Sequence, residues 1–176
     1  MSNITLKKVS IADVAKLQKI GMTTFSETFR EFNTPENLNK YLVESFSIEK
    51  LRSEINNTHS EFYLALDDAK DDTNAIGYLK VNFGESQTEL KDSKSFEIER
   101  IYVLKEYQGK DVGKLLYQKA LAIAQQNNVD YIWLGVWEHN KQALDFYKQQ
   151  GFEAFDQHIF KLGNDEQTDL LMCLKL

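Results

Sequence analysis

Three β-type segments follow one another along the chain, and their order constrains the fold more than any other feature. Residues 62–66, 75–83 and 96–103 are rich in β-branched and aromatic side chains. The polar stretches 67–74 and 84–94 separate them and carry the residues that favour turns. Strands joined by short turns pair in antiparallel fashion. We therefore expect three consecutive antiparallel strands in one sheet.

The chain that follows alternates between helical and strand patterns. Apolar residues at helical spacing from Val112 to Ala124 predict a helix, and the apolar run 131–137 predicts a strand. A second helical stripe contains Ala143 and Tyr147 and ends before Gly151, a residue suited to a helix C-terminus. Two further strands, 154–160 and 168–174, are predicted as a hairpin around Gly163-Asn164.

The N-terminal third predicts one strand and three helices. Residues 4–9 have the strand pattern, and the capping residues Ser10, Thr34 and Ser47 each precede a helical stripe. The chain has one proline and no linker of low complexity. We expect a single α/β (α+β) domain over residues 1–176, in which helices flank a mixed central sheet of about seven strands.

Charge and cysteine content limit the classes of partner that we expect for this chain. The chain has 21 Lys and Arg residues against 27 Asp and Glu residues, so its formal net charge of -6 is the wrong sign for a phosphate backbone. No apolar segment is as long as a membrane span, and Cys173 is the single cysteine. We expect a cytoplasmic protein with no nucleic-acid or membrane partner and no bound metal.

The turn between the strand 96–103 and the helix at Val112 is the segment most informative about chemistry. Free backbone N–H groups at a helix N-terminus, beside two lysines, suit a pyrophosphate. The turn matches neither a P-loop nor a Gly-x-Gly-x-x-Gly element, and an ordinary strand-to-helix turn is the alternative. Its residues are Gln108, Gly109, Lys110, Asp111, Val112, Gly113 and Lys114.

This turn has a partner motif later in the chain, Asn140-x-x-Ala143-x-x-Phe146-Tyr147-x-x-x-Gly151-Phe152. Together the two motifs resemble the acyl-CoA signature of the GNAT (Gcn5-related) N-acetyltransferase superfamily. Further blocks across nearly the whole chain resemble the bacterial PaiA-type spermidine/spermine acetyltransferases; they lie at 27–29, 34–37, 97–102, 132–138 and 166–170.

The resemblance implies a GNAT fold, with a mostly antiparallel sheet that splays between its fourth and fifth strands. Acetyl-CoA would insert its pantetheine arm at the splay, with no metal. The implied contacts are the backbone of Ile101, Tyr102 and Val103, the N–H groups of 109–114, the Asn140 amide and Tyr147. The implied reaction is acetyl transfer to a primary amine of spermidine, spermine or a similar polyamine.

Asp111 departs from the signature, which has glycine at this position. Aspartate tolerates left-handed backbone geometry better than most residues and can cap the following helix. Its carboxylate has the wrong charge beside a pyrophosphate, although Lys110 and Lys114 offset it. We expect the turn to survive, with the affinity for acetyl-CoA as the property at risk.

Acetyl transfer to an amine needs a base and an acid. An alkylamine has a pKa of about 10.4, so a base must remove its proton at neutral pH. Glu97 and Glu99 are the candidates; residues two apart in a strand share a face, so we expect both on the side of Ile101 and Val103. By motif position Tyr147 protonates the leaving thiolate, although a helical tyrosine is ordinarily a core residue.

The acceptor site is predicted more weakly. Aromatic rings and carboxylates suit a polyamine, and the candidates are Glu31, Phe32, Glu36, Tyr41 and Trp137, together with Phe29 and His139. Aromatic residues on such helices are usually core residues. No nucleophile is placed for a covalent step, so direct transfer in a ternary complex follows. Other amines, a peptide α-amine, a non-catalytic CoA-binding module and a homodimer through the C-terminal strands stay open.

Overall fold

The computed structural model describes residues 3–69 and 74–176. Over these residues, seven strands form one sheet in the order β1-β2-β3-β4-β5-β7-β6, and five α-helices pack on its faces. The strands are β1 (Ile4–Lys8), β2 (Ser60–Asp67), β3 (Ala75–Phe83), β4 (Ser95–Val103), β5 (Tyr131–Trp137), β6 (Glu153–Leu162) and β7 (Asp165–Lys175). The helices are α1 (Val14–Phe29), α2 (Pro35–Ser45), α3 (Ile48–Asn56), α4 (Val112–Gln126) and α5 (Lys141–Gln149).

The predicted element order is confirmed. Strands β2, β3 and β4 pair consecutively in antiparallel fashion, and β6 and β7 form the expected hairpin, which turns at Gly163 with a φ of 62°. The helix expected after Ser10 opens with a 3-10 turn, Ile11–Asp13, in which the Ser10 N–H donates to the Asp13 carboxylate at 3.0 Å. Part of the predicted turn 67–74, residues 70–73, lies outside the described residues.

Side-chain caps fix the starts of the next two helices. The Thr34 hydroxyl accepts the Asn37 N–H and the Ser47 hydroxyl accepts the Lys50 N–H, both at 3.2 Å. Such caps satisfy backbone N–H groups that have no partner within the helix, and each stabilises by about 1 kcal/mol. The caps therefore set where α2 and α3 begin.

Two apolar cores enclose the sheet. The back core, between the sheet and α4, contains Phe96, Ile98 and Leu116, all buried. The front core, between the sheet and α1–α3, contains Phe46 and Tyr78, also buried. Each fully buried side chain of this size contributes about 1.5–3 kcal/mol. The two cores therefore pack on opposite faces of β4 and β5, where the two strands part.

Strands β4 and β5 separate after a short parallel contact. They pair only through Ser95–Glu97 and Tyr131–Trp133. The Leu104 N–H donates to the Ile76 carbonyl of β3 at 2.9 Å. Because backbone groups alternate sides along a strand, Ile101 and Val103 direct theirs to the open edge of β4. The splay predicted between the fourth and fifth strands is confirmed.

A β-bulge at Glu99 changes which side chains share a face. Lys80 pairs with Arg100 while Val81 pairs with Ile98, so Glu99 is the extra residue of β4. Ile98 and Ile101 both pack on the back core, and the Arg100 guanidinium lies 4.9 Å from a ring of the front core. The bulge thus shifts the alternation by one residue. The expectation that both glutamates face the same way as Ile101 and Val103 is wrong, because both face the front.

Candidate active site

A cavity of about 580 Å³, here called the splay groove, opens between β4 and α5. The edge of β4 forms one wall, and the residues from Trp137 to Tyr147 form the other. Of the residues predicted to bind the cofactor, most line this groove: Ile101, Tyr102, Val103, Gln108, Gly109, Asp111, Gly113, Lys114, Asn140 and Tyr147. The two sequence motifs, nearly 30 residues apart, therefore meet across one opening.

The turn at the groove is built from left-handed residues. Gly109 has a φ of 72° and Asp111 a φ of 61°. Asp111 thus tolerates the left-handed geometry as expected, but its side chain makes no capping hydrogen bond to α4. An N-cap residue normally has extended backbone, which aims its oxygen at the first turn, and Asp111 does not. The expectation of capping is wrong, and the first-turn N–H groups stay available for an anion.

Gly113 leaves room at the start of α4. A Cβ atom built there would meet a single neighbour within 4 Å among the described residues, Val103 Cγ2 at 4.0 Å. Two predicted turn residues do not line the groove: the Lys110 ammonium lies 5.2 Å from the Tyr107 ring, and Val112 is buried in the back core. The structure adds Lys105, which sequence reasoning missed although a lysine directly after β4 was a usable signal.

Polar side chains position both edges of the groove. Gln108 Nε2 donates to the Val103 carbonyl at 3.3 Å, which ties the turn to the end of β4. Asn140 Oδ1 accepts the Ala143 N–H at 3.2 Å and caps α5. This bond uses the oxygen of the Asn140 amide and leaves Nδ2 as a donor at the groove wall. The Asn140 side chain therefore caps α5 through its oxygen and can donate a hydrogen bond into the groove through its nitrogen.

Tyr147 stands where the groove meets a second cavity. Its side chain projects from α5, is 8% exposed, and packs edge-on against Phe146 and Phe152. Burial raises the pKa of the Tyr147 phenol well above its usual value, with a smaller contribution from Tyr117. The phenol is therefore protonated across the physiological pH range and has a proton to donate.

The second cavity, here called the front cavity, lies on the front face of the sheet and has a volume of about 250 Å³. Its aromatic lining is Phe25, Phe29, Tyr41, Tyr102, Trp133, Trp137, Tyr147 and Phe160. Its polar lining includes Thr88, Glu89, Glu97, Glu99, Arg100, Asn140, His158 and Asp169. The two cavities are contiguous, because Ile101, Tyr102, Trp137, Asn140, Ala143 and Tyr147 line both.

Glu97 is a buried carboxylate held from two sides. It accepts the Thr88 N–H at 2.9 Å, the Thr88 hydroxyl at 2.5 Å and Asn82 Nδ2 at 2.9 Å. It is 3% exposed. Burial and the neighbouring charge of Glu99 raise the pKa of Glu97, although the three hydrogen bonds oppose the shift. The raised pKa moves its titration toward neutral pH, as a general base requires.

Glu99 has a different environment although it lies two residues away. Its carboxylate is 2.6 Å from the Lys80 ammonium and 3.6 Å from the Arg100 guanidinium. Burial alone would raise its pKa, but the charges of Arg100 and Lys80 lower the pKa of Glu99 to about 2. Glu99 is thus ionised at every pH at which the enzyme would act, and its charge is balanced within the protein.

The predicted acceptor residues do not all lie in one cavity. Tyr41 and Phe29 line the front cavity, Phe32 and His139 line the splay groove, and Trp137 lines both. Glu31 and Glu36 line neither cavity. Both are exposed in the first turns of short helical segments, where carboxylates favour the helix N-terminus. The structure therefore does not bring them to the site.

Sequence reasoning missed the loop between β3 and β4. It was treated only as a turn, yet it supplies Thr88 and Glu89 to the front cavity. Gln87 anchors this loop, because its Oε1 accepts both the Trp133 indole N–H and the Ser95 hydroxyl at 2.7 Å. A loop of irregular backbone has no hydrophobic period, so the sequence carried no signal for these contacts.

Within residues 3–69 and 74–176, no three His, Cys, Asp or Glu side chains lie close enough to hold a metal ion. His158 and Glu89 form a pair at 3.9 Å, whereas catalytic zinc sites use three protein ligands. None of the described helices is both long enough and apolar enough to cross a membrane.

The sequence has clear relatives. Residues 24–152 match the Acetyltransferase (GNAT) family. An uncharacterised N-acetyltransferase of Lactobacillus delbrueckii subsp. lactis is 37% identical over 172 residues, which cover 98% of this chain and 97% of that protein. A spermidine N(1)-acetyltransferase of Thermoplasma acidophilum is 26% identical over 154 residues, which cover 88% of this chain and 91% of that protein.

Solved structures share the fold. The PaiA N-acetyltransferase of Thermoplasma acidophilum, in complex with coenzyme A, superposes with a TM-score of 0.79 at 24% identity and covers 99% of both chains. At this identity the likeness shows the fold alone. The family match spans most of the chain, and a relative more than 30% identical extends over nearly all of it. This protein therefore belongs to the GNAT family of acetyl-CoA-dependent N-acetyltransferases.

Proposed function

We propose that the enzyme acetylates a primary amine of a polyamine such as spermidine or spermine, by direct attack in a ternary complex. The observation that carries the proposal is the front cavity, which combines aromatic walls with carboxylates and opens onto the splay groove at Tyr147. The spermidine acetyltransferase among the relatives supports the same substrate class. The cytoplasm, where the lone Cys173 stays reduced, is the proposed location.

The residues of the splay groove fit acetyl-CoA, which supplies an acetyl group activated as a thioester. The open edge at Ile101 and Val103 offers backbone groups to the amides of the pantetheine arm. The first-turn N–H groups of α4, with space at Gly113, offer a site for the pyrophosphate. Lys114 adds a positive charge, and Asn140 Nδ2 adds a donor on the opposite wall.

The front cavity fits a cationic alkylamine. Its aromatic rings offer surfaces for methylene groups, and ring faces also attract ammonium groups. Its carboxylates offer charge-assisted hydrogen bonds. A polyamine presents both kinds of group in alternation. A simple apolar monoamine would have only one ammonium group to pair with these carboxylates.

Two residues have the properties that proton transfer needs. Glu97 has a raised pKa and lines the front cavity, so we assign it as the base that takes the amine proton, directly or through a water molecule. Tyr147, whose phenol stays protonated, is the donor to the leaving thiolate. Glu99 is already paired with Lys80 and Arg100, and its lowered pKa makes it a poor base.

One observation favours a second candidate, an amine that also carries a carboxylate. Nη1 of Arg100 is buried and has no hydrogen-bond partner among the described residues, and Arg100 lines the front cavity. Guanidinium groups bind carboxylates well. An amino acid or a peptide would satisfy both this group and the acidic side chains.

An amine panel distinguishes these candidates. Thiol release from acetyl-CoA is measured with spermidine, spermine, a monoamine, an amino acid and a peptide α-amine, and mass spectrometry identifies each product. The proposal expects kcat/KM for spermidine or spermine to exceed that for the other amines by at least about tenfold, the size of one charge-assisted hydrogen bond. Preference for the amino acid or the peptide would favour the second candidate and overturn the first.

A further inference from the structure

The charges of the front cavity are unevenly balanced. Glu99 is paired with Lys80 and Arg100, and Glu97 is held by three hydrogen bonds. Both carboxylates therefore already have polar partners within the protein. A further strand carboxylate that lines the cavity is Asp169 on β7, which lies in the sequence block 166–170 but was not predicted as a site residue.

Asp169 lacks the partners that the other carboxylates have. It is partly exposed, lines the front cavity, and makes no side-chain hydrogen bond or ion pair with residues 3–69 or 74–176. Burial raises the pKa of Asp169 to about 6, and the nearby His158 opposes the shift. At neutral pH the cavity therefore contains an ionised carboxylate without a counter-charge hydrogen-bonded to it.

A glycine keeps this carboxylate accessible. Asp169 lies opposite Trp137 of β5 and His158 of β6. Gly135 lies two residues before Trp137 on β5, and a Cβ atom there would be 3.7 Å from Asp169 Oδ2 and 3.6 Å from His158 Cε1. Any larger side chain would thus cover the carboxylate. Gly135 forms a floor between the indoles of Trp133 and Trp137, which line the same cavity.

The charged and titratable groups that face Asp169 come from several elements. His158 lies on β6, and Glu89 of the loop between β3 and β4 is 3.9 Å from His158. Tyr41 of α2 and Tyr102 of β4 interact electrostatically with Asp169, and burial raises the pKa of each phenol, so both stay neutral. Within residues 3–69 and 74–176, none of these groups forms a hydrogen bond or an ion pair with the Asp169 carboxylate.

We infer that Asp169 is a substrate-binding residue that holds a second ammonium group of the acceptor while the reacting amine lies near Glu97. Asp169 pairs with Trp137, and Glu97 pairs with Trp133, four residues earlier on β5. The two positions are therefore offset by about 13 Å along β5, at roughly 3.3 Å per residue, and they lie on opposite sides of that strand. A flexible amine with two charges spans such a distance, and a short monoamine does not. The inference rests on the proposed function, because it names how that site selects polyamines.

The test compares Asp169→Asn with the wild-type enzyme, using Asp145→Asn as the matched control. Asp145 is exposed on α5 and lines neither cavity. For Asp169→Asn we expect KM for spermidine to rise about tenfold or more, with kcat changed less than about threefold and KM for hexylamine and for acetyl-CoA unchanged. Wild-type KM for spermidine should fall as the pH rises through about 6, and this trend should be absent in the variant.

Two further variants test whether a rise in KM for spermidine comes from misfolding and not from the loss of charge. Asp169→Glu keeps the charge and should recover part of the spermidine affinity. Gly135→Ala should also raise KM for spermidine, because its methyl group covers the carboxylate without changing any charge. Because Asp169→Asn removes an unpaired, partly buried charge, its free energy of unfolding above pH 6 should be no lower than that of wild type.

The outcomes separate the inference from the proposed function. If wild type acetylates spermidine and Asp169→Asn behaves like Asp145→Asn, the inference is overturned and the polyamine function stands. If wild type instead prefers another amine, the polyamine function fails. The same pair of variants, tested on that amine, then supports the role of Asp169 by a selective rise in KM or overturns it by no change.

Discussion

Replacing Gly113 with alanine should change stability and cofactor affinity in opposite directions. The new methyl group meets only Val103 Cγ2, at 4.0 Å, among the described residues, so the protein has room for it. Gly113 lies in the first turn of α4, and alanine is favoured over glycine in helices by about 0.5–1 kcal/mol. For a chain of this size that gain corresponds to a rise in Tm of about 1–4 °C.

The same methyl group occupies the space in which a phosphate would approach the backbone. Losing one hydrogen bond to a charged group costs about 1.5–3 kcal/mol, which weakens acetyl-CoA binding by about 10- to 150-fold. Denaturant unfolding without ligand measures the first effect, and calorimetric titration with acetyl-CoA measures the second.

Gly21→Ala is the contrasting control. A Cβ atom at Gly21 overlaps the Phe46 ring, so this variant should lose stability and keep its affinity for acetyl-CoA. If Gly113→Ala is stable and binds acetyl-CoA as tightly as wild type, the turn does not hold the pyrophosphate. If it is destabilised instead, the space above Gly113 is not as described.

Three further substitutions test individual residues. Tyr147→Phe keeps the packing and removes only the proton donor, so kcat should fall by about 10²-fold in steady-state assays while calorimetry finds acetyl-CoA affinity unchanged. Glu97→Gln should flatten the limb of the pH–rate profile that rises with pH, whose midpoint lies above 4.5 because the pKa of Glu97 is raised. Glu99 has a pKa lowered from 4.5 to about 2, so its contribution to stability is complete above pH 4.5 and is lost as the pH falls toward 2. The difference in free energy of unfolding between wild type and Glu99→Gln should therefore shrink between pH 5 and pH 2, and a constant difference would refute the ion-pair assignment.

Local patterns were sufficient to predict the order of elements. The caps at Thr34 and Ser47, the apolar run of β5 and the turn at Gly163 each act through neighbouring residues, which a sequence displays directly. The splay followed from the resemblance carried by the two motifs. Its physical basis is the short pairing of β4 with β5, which no local pattern reveals.

The faces of β4 were predicted wrongly for a physical reason. Strict alternation assumes regular pairing, and the bulge at Glu99 inserts one residue against β3. The partners of Glu97 and Glu99 lie on other elements, at Thr88, Asn82 and Lys80, so their opposite pKa shifts were not readable from spacing. The resemblance identified both glutamates, but only the tertiary contacts separate their roles.

The acidic residues of the front cavity could not be grouped from the sequence alone. Asp169 lies far along the chain from Glu97, and the sheet order β4-β5-β7 brings both to one face. Glu31 and Glu36, in contrast, looked suitable by composition and lie exposed at helix starts. Acidic residues are common on surfaces, so their function is set by the topology that surrounds them.

The central claim is that the cofactor groove and a polyamine site meet at Tyr147. A conjugate of coenzyme A joined through an acetyl linker to spermidine tests this claim in one calorimetric titration. We expect the conjugate to bind at least about 100-fold more tightly than coenzyme A, because it fills both cavities at once. Binding no tighter than that of coenzyme A would show that no polyamine site meets the groove at Tyr147.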